Sequence, residues 1–363
     1  MMLKVLHVCT SRSWGGMEMI VCRLVQLQQE AGHDVSFACD PRAKIHEACQ
    51  RNGVATVDVT CGIAGLLALR KIIARLRPDI LHIQYSRDLN IAMPANLGQR
   101  ARVILTKQLE SAVVKRDPWH RLLYGGVARA TAISAMIRDN LIATTTLRPD
   151  QIDLVHLGVD TGRFAPDRQA RMETRRELGI PEKSLAIGMM GRMSPGKGYD
   201  DFIGMAAQLD GADLRFVLIG GHSRKEDAFG DSIKATARTM LGRRVSLTGH
   251  REDRQRWLNA LDIFVFPSHA ESFGLALVEA MATGLSCAAY GAGGVLDIVD
   301  HGKDGLLAEV KNISDLRATV EQLIRDPVQR TALGNAARAK AVELFSEQRM
   351  LAGTMRTYER ALA

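Results

Sequence analysis

No two of the six cysteines form a C-x-x-C pair, and the ten histidines contain no H-E-x-x-H or other zinc spacing. A zinc site is therefore not written in the chain. D-x-D is absent, so the divalent-metal diphosphate site that such a pair builds is not visible, and no metal ligand is assigned. G-x-G-x-x-G and the Walker A spacing are absent too, which removes the dinucleotide and P-loop fingerprints. No apolar run approaches the roughly 18 residues needed to span a bilayer. The opening Met1-Met2-Leu3-Lys4-Val5-Leu6-His7-Val8 is too briefly apolar for a signal peptide and reads as a first β-strand, so a cytoplasmic protein is expected. Cys9, Cys22 and Cys39 lie inside apolar runs and read as small buried thiols.

What is present is ordinary in bulk and uneven along the chain. The 363 residues are 46% hydrophobic and 24% charged, which excludes a disordered chain, a collagen-like fibre and a disulfide miniprotein. The length suggests two domains. Residues 1–165 hold 21 Lys+Arg against 14 Asp+Glu, a net of +7, while the remainder holds 27 against 26, a net of +1. A basic first half suits an anionic partner such as nucleic acid, phospholipid or a phosphorylated acceptor.

Short β-branched runs alternate with amphipathic stretches. Strands are predicted over 4–9, 35–38, 55–59, 80–83, 103–106, 130–133 and 152–155, with helices over 18–30, 63–76 and 119–128 among them. Residues 161–181 read as a linker with one short helix. The alternation restarts with strands over 185–190, 214–219, 244–247, 263–266 and 286–290 and helices over 199–209, 226–241, 273–283 and 314–324. The last part, 328–363, is helical with a break at Phe345-Ser346. This is α/β architecture: two doubly wound Rossmann-like domains facing a central cleft, with domains at 1–165 and 166–345 and a final helix over 346–363.

In such sheets ligands bind at the carboxyl ends of the strands, and the motifs sit there. After the strand at 263–266 comes His269-Ala-Glu271-Ser-Phe273-Gly274-Leu275-Ala-Leu-Val-Glu279-Ala-Met-Ala-Thr-Gly284. The N–H groups of Phe273, Gly274 and Leu275 open a helix, at its positive dipole end, and suit hydroxyls or an anion. Glu279 lies among apolar residues of that helix, where a carboxylate needs a partner. After the strand at 185–190, Gly188-Met-Met-Gly191-Arg192-Met-Ser-Pro-Gly-Lys197-Gly198 offers two cations on a glycine-flexible loop, which suits a diphosphate. Thr10-Ser-Arg-Ser-Trp-Gly15-Gly16 follows the first strand and lets backbone donors approach a ligand. The glycines at 293–294, 302 and 305 read equally as turns or as a ligand loop.

Together, Glu271-Ser-Phe-Gly-Leu-x-x-x-Glu279-Ala-Met-Ala-x-Gly284, the Gly191-Arg192…Lys197-Gly198 loop, Gly15-Gly16 and Leu157-Gly-Val-Asp160…Phe164 resemble the retaining GT-B glycosyltransferases of family 4, nearly end to end. The resemblance implies that Arg192 and Lys197 hold the donor diphosphate and steady the leaving charge. It implies that Glu279 binds ribose and that Glu271 with the Phe273, Gly274 and Leu275 N–H groups holds the sugar. Gly15 and Gly16 would close over the sugar phosphate, and Gly220-Gly221 with 246–250 would pack the base. The last helix would cross back to the first domain. His82, Lys107 and Gln108 would lie on the acceptor side. Gln84 and Gln108 stand where related enzymes often have histidines; an amide hydrogen-bonds but cannot shuttle a proton. Asp297 stands where Glu is commoner and Ser286 where Pro is usual.

The resemblance implies a nucleotide-sugar donor, uridine diphosphate sugars first and guanosine diphosphate mannose next, and no cofactor or metal, with Lys197 and Arg192 doing an ion's work. An epimerase, a phosphorylase and a catalytically silent nucleotide-sugar binder are the rival readings. On the acceptor side, Leu66-Leu-Ala-Leu-Arg70-Lys71-Ile-Ile-Ala-Arg75-Leu-Arg77, Lys107, Lys115, Arg116, Trp119-His120 and Arg121 mix apolar and basic residues. They suit a glycan or lipid-linked acceptor at an anionic membrane surface. No groove-reading motif accompanies the charge, so nucleic acid is not expected as a partner.

Overall fold

The computed structural model describes residues 2–211, 213–221 and 227–363. The chain divides into two units, Met1–Gly158 with Glu347–Ala363, and Val159–Ser346. The breaks expected at 165/166 and 345/346 thus fall at 158/159 and 346/347. Backbone bonding accounts for the shift: Val159 N–H donates to the Phe345 carbonyl at 2.8 Å, tying the chain from there onward to the second unit.

The first unit is a sheet of seven parallel strands: β1 (Lys4–Cys9), β2 (Asp34–Cys39), β3 (Ala55–Asp58), β4 (Ile80–Ile83), β5 (Arg102–Lys107), β6 (Val127–Ala132) and β7 (Ile152–Leu154). Their order is β3-β2-β1-β4-β5-β6-β7. Helices α1 (Gly16–Glu30), α2 (Lys44–Arg51), α3 (Ile63–Leu76), α4 (Leu89–Ala95), α5 (Pro118–Gly125) and α6 (Ala135–Thr144) connect them. Strand β4 is buried at every residue, as a parallel strand covered on both faces must be. Helix α5 starts where the Asp117 side chain accepts from the Trp119 and His120 N–H groups, with Pro118 at the first turn. It stops at Gly125, shorter than the expected 119–128, because Val127 already pairs with Val103 of β5.

The second unit repeats the plan with six parallel strands: β8 (Leu185–Met190), β9 (Leu214–Ile219), β10 (Val245–Gly249), β11 (Ile263–Phe266), β12 (Ser286–Tyr290) and β13 (Leu306–Ala308). The order is β10-β9-β8-β11-β12-β13. Its helices are α7 (Arg168–Glu177), α8 (Tyr199–Ala207), α9 (Asp227–Leu241), α10 (Arg254–Asn259), α11 (Leu275–Ala282), α12 (Val295–Ile298), α13 (Ile313–Arg325) and α14 (Pro327–Leu344). Residue 226, the expected start of the helix at 226–241, lies outside the described residues. Tyr199, Phe202 and Phe216 are among the fully buried side chains of this unit's core.

Helix α15 (Glu347–Leu362) belongs to the first unit. It packs on α1, β5 and β6. Arg23 Nε and Nη2 grip the two oxygens of Glu347, each at 2.8 Å, a bidentate pair. Gly353 lets the helix come so close that an added Cβ would meet Val155 Cγ1 at 2.9 Å.

In each sheet the strand order reverses once, between β1 and β4 and between β8 and β11. Loops that leave such a switch point diverge and open a crevice at the carboxyl ends. The Thr10–Gly16 segment and the Gln84–Asp88 segment flank the first reversal, and the 191–198 and 267–274 segments flank the second.

Candidate functional sites at the strand ends

The two loops at the β8/β11 reversal are tied to each other. His269 N–H donates to the Gly196 carbonyl at 2.8 Å, and Lys197 Nζ donates to Glu271 Oε2 at 2.6 Å. Ser268 Oγ donates to the same oxygen at 3.3 Å. The Lys197 and Glu271 side chains remain 32% and 17% exposed, so the pair is half-buried and reachable. Arg192 is exposed on the loop after β8. Helix α11 begins at Leu275 with Gly274 as its N-cap, at φ +122°, a conformation that side chains rarely adopt. Phe273 turns its ring inward, edge-on to Phe345 at 5.8 Å between centroids.

Glu279 sits one turn into α11 and is buried. Burial pushes its carboxyl up to about 7, against the opposing pull of the Arg254 and Arg163 guanidinium groups. Arg254 Nη1 contacts both of its oxygens, at 2.8 and 3.0 Å. Arg254 is the partner that the sequence required for Glu279 but did not identify. Its position at the head of α10, in the loop that follows β10, is the one available clue.

Gly220 and Gly221, expected beside a base, are held by the protein itself. Gly191 N–H donates to the Ile219 carbonyl, and Met193 N–H donates to that of Gly221, at 3.0 and 2.9 Å. Gly220 has φ +146°, and a Cβ there would stand 1.8 Å from the Gly191 carbonyl oxygen. The glycine is required by this close approach of two loops, whatever else it touches. The glycines at 302 and 305 bracket a turn into β13, and Gly294 presses on Ser272, where a Cβ would meet the carbonyl at 2.4 Å.

In the first unit, Thr10 and Asp88 bridge the β1/β4 reversal. Asp88 accepts from the Thr10 N–H at 2.8 Å and from its hydroxyl at 2.5 Å. Gly15 caps α1 in extended backbone and Gly16 begins it. The buried Glu18 accepts from Ser11 Oγ at 2.7 Å. Beside this, at the carboxyl ends of β4 and β5, lies a cavity of about 360 Å³ lined by Gln84, Thr106, Lys107, Gln108, Lys115 and their neighbours.

His82 does not reach that cavity. It is fully buried, with Nδ1 against the Tyr358 hydroxyl and Nε2 against Thr106 Oγ1, both at 2.6 Å. Its strand places it beside His7, and α15 seals that face with Tyr358. The hydrogen bonds form one connected chain. Gln84 Nε2 donates to His7 Nδ1, so His7 Nε2 donates to Gln28 Oε1. Gln28 Nε2 donates to the Tyr358 hydroxyl, which is bonded to His82 Nδ1, and His82 Nε2 is bonded to Thr106 Oγ1. Burial drives both histidines down, His7 to about 4, so both are neutral links in a structural network. The acceptor-side expectation therefore passes to Lys107 and Gln108, and the Gln84 amide is spent on His7.

Comparison with known proteins agrees with both halves. Residues 14–163 match the family model for Glycosyltransferase Family 4. Residues 170–340 match that for Glycosyl transferases group 1. The chain belongs to the group 1, family 4 glycosyltransferases. The D-inositol 3-phosphate glycosyltransferase of Mycobacterium sp. (strain JLS) is 34% identical over 205 residues, 55% of this chain and 46% of that protein. D-inositol 3-phosphate glycosyltransferase 1 of Catenulispora acidiphila is 34% identical over 247 residues, 66% of this chain and 59% of its own. The chain thus spans about half the length of the curated relatives it matches. Among solved structures, a glycosyltransferase from Rickettsia africae superimposes with a TM-score of 0.91 at 18% identity, covering 99% of both chains. Anabaena HepE, solved in complex with UDP, gives 0.87 at 20% identity over 98% of this chain and 100% of its own. The fold is GT-B.

Proposed function

We propose that this chain is a retaining, metal-independent glycosyltransferase. It takes a sugar from a nucleoside-diphosphate sugar, UDP-sugars ahead of GDP-mannose, and passes it to a glycan or lipid-linked acceptor of the cell envelope. No cofactor takes part. The observation that carries this is the Lys197–Glu271 pair at the β8/β11 reversal, with the buried Glu279 on the helix that follows. In the free protein each of Lys197 and Glu271 holds the other's charge. An arriving diphosphate takes Lys197, with Arg192 beside it, and releases Glu271 to the hydroxyls of the sugar. Glu279, steered by Arg254, accepts from the ribose. The acceptor oxygen then bonds to the anomeric carbon as the carbon–phosphate oxygen bond breaks, and the acceptor proton passes to the departing phosphate on the same face. Catalysis is positioning and stabilisation of the leaving charge.

That HepE, a structure of the same fold, was solved with UDP supports the donor class. On this reading the enzyme is cytoplasmic and meets an envelope acceptor peripherally, at the inner face of the membrane. Among the described residues no helix is long and apolar enough to cross a membrane.

A thermal-shift panel of UDP, GDP and ADP tests the reading. A ligand at 100 times its Kd stabilises by ~2.7 kcal/mol, enough to rank the bases. No stabilisation by any of the three overturns it. Slow release of free sugar from the preferred donor, undiminished by EDTA, distinguishes an enzyme from a silent binder, and the anomeric configuration of that sugar reports retention.

A further inference from the structure

The cavity at the carboxyl ends of β4 and β5 contains a chemical contradiction. Lys107 is 7% exposed, yet its ammonium has no hydrogen bond or ion pair among the described residues. Lys115 lines the same cavity, half-buried, and its ammonium is likewise without a partner. An ammonium at the end of a largely buried side chain, opening on a confined cavity, is best answered there by an anion or several acceptors, and these two repel each other. The effect is visible in Lys107, which burial first and Lys115 second lower to about 8. Burial lowers Lys115 too. Gln108, 5% exposed, brings an amide that also has no partner among the described residues.

The remaining charges do not relieve this. Arg87 on the rim is a third cation, stacked over the Tyr85 ring. His120 and Asp117 are bonded to one another. Asp88 is buried under Thr10. Glu110, exposed, is the remaining acid of the lining. A volume of about 360 Å³ is much larger than one tetrahedral anion and lies in the range of small-molecule pockets.

We propose that this cavity binds a phosphate group borne by the acceptor, held between Lys107 and Lys115 with Gln108 donating, and has room for part of the hydroxylated moiety to which that phosphate is attached. The proposal rests on the glycosyltransferase reading and narrows its acceptor to phosphorylated molecules. Phosphate suits the site because its dianion answers two ammonium charges with several acceptor oxygens. A soluble sugar phosphate and a lipid-borne phosphate share that chemistry.

The test is calorimetric titration of the full chain, first with UDP and then, saturated with UDP, with inorganic phosphate and with glucose 6-phosphate. UDP fills the other anion site, so the second titration reports this cavity. The proposal expects saturable phosphate binding, weakened on the order of tenfold or more in Lys107→Met and in Lys115→Gln. Vesicles of phosphatidylcholine with and without phosphatidic acid sort the source. Binding of glucose 6-phosphate marks a soluble acceptor, and capture by phosphatidic acid vesicles that exceeds capture by phosphatidylserine vesicles of matched charge, and is lost in Lys107→Met, marks a lipid-borne one. Thermal unfolding adds an independent readout: without phosphate, Lys107→Met melts above the parent, since a partly desolvated cation facing Lys115 is gone, and phosphate no longer raises its midpoint. UDP binding without phosphate binding overturns this inference and leaves the donor reading standing. Absence of UDP binding overturns the donor reading itself. Phosphate binding equal in parent and both variants, or a lower melting midpoint for Lys107→Met, also overturns the inference. Should Lys107→Met fail to fold, the half-buried Lys115→Gln carries the test alone.

Discussion

Lys197 and Glu271 are each other's counter-ions at 2.6 Å, and Glu279 is held by Arg254. The two carboxylates sit in different settings, and their substitutions should separate. Under the proposed function, Lys197→Ala removes a cation whose work is greatest as negative charge develops on the leaving group. Its turnover should fall on the order of 10²–10³-fold with a smaller change in donor affinity. Under the same proposal Glu279→Ala removes a ground-state contact with the ribose, so UDP binding should weaken while turnover changes less. Steady-state kinetics with calorimetry checks both, and two variants within twofold of the parent would refute the assignment. Lys107 makes a separate prediction through pH. Its folded-state value of about 8 lies below the ordinary 10.5. Between these values the unfolded chain binds more protons, so stability rises as pH climbs through that window. Below about 8 both states are protonated and the penalty of the buried charge is fully present. Denaturant unfolding across the window should show this rise in the parent, and a smaller one in Lys107→Met, where Lys115 alone contributes. Identical profiles would mean that Lys107 is solvated.

At the scale of elements, α15 is fastened to the first unit by a polar chain through its middle as well as by apolar contact. Tyr358 accepts from Gln28 and is hydrogen-bonded to His82 within a fully buried network. Tyr358→Phe keeps the ring and orphans both neighbours, so it should cost about 1–3 kcal/mol; urea unfolding within 0.5 kcal/mol of the parent, an interval below the usual net value of about 1 kcal/mol for one hydrogen bond, would show that the chain is slack. This network also marks where the sequence stops being readable. Ile263–Phe266 announces a strand because both its faces are buried, and Glu279 announces a site because a carboxylate stands on an apolar helix. His82 carries no such label. It alternates with apolar residues on a strand covered on both sides, and the face that α15 seals is decided by a segment more than 270 positions away, at Tyr358. Arg254 was hidden for the same reason, since its pairing with Glu279 is made only by the sheet. Strand β13 is three residues long after a glycine turn, too short for an alternation to register. Helix α4 contains Pro94, which masks its period.

At the scale of the molecule, the charge asymmetry has a physical address. The first unit carries the excess cations, and the structure sorts them. On α3 the residues Gly65, Leu69 and Ile73 face inward. Ile63 and Leu67, 79% and 54% exposed, stand on the outer face with Arg70, Lys71 and Arg75. Arg70 is partly committed, donating to the Leu97 carbonyl at 2.9 Å. A second set follows β5: Val113, Val114, Trp119 and Leu122 are all exposed, among Lys115, Arg116 and Arg121. Trp119 has its indole N–H bonded to Asn90 Oδ1 at 2.9 Å, so its ring is fixed in place rather than free to fold inward. Exposed apolar side chains interleaved with cations are what an anionic bilayer surface binds. Each Lys or Arg near the surface adds about 1 kcal/mol at physiological salt, falling away within a Debye length of ~8 Å. The expected result is co-sedimentation with vesicles that contain anionic lipid, little with neutral vesicles, and release as salt rises. Leu122→Asp with Trp119→Ser, on the exposed side of α5, should weaken the salt-resistant part, while Lys71→Glu with Arg75→Glu weakens the salt-sensitive part. Equal recovery in the supernatant under every condition would remove the membrane from the account, and would leave the donor chemistry untouched because Lys197, Glu271 and Glu279, which carry that proposal, belong to the second unit.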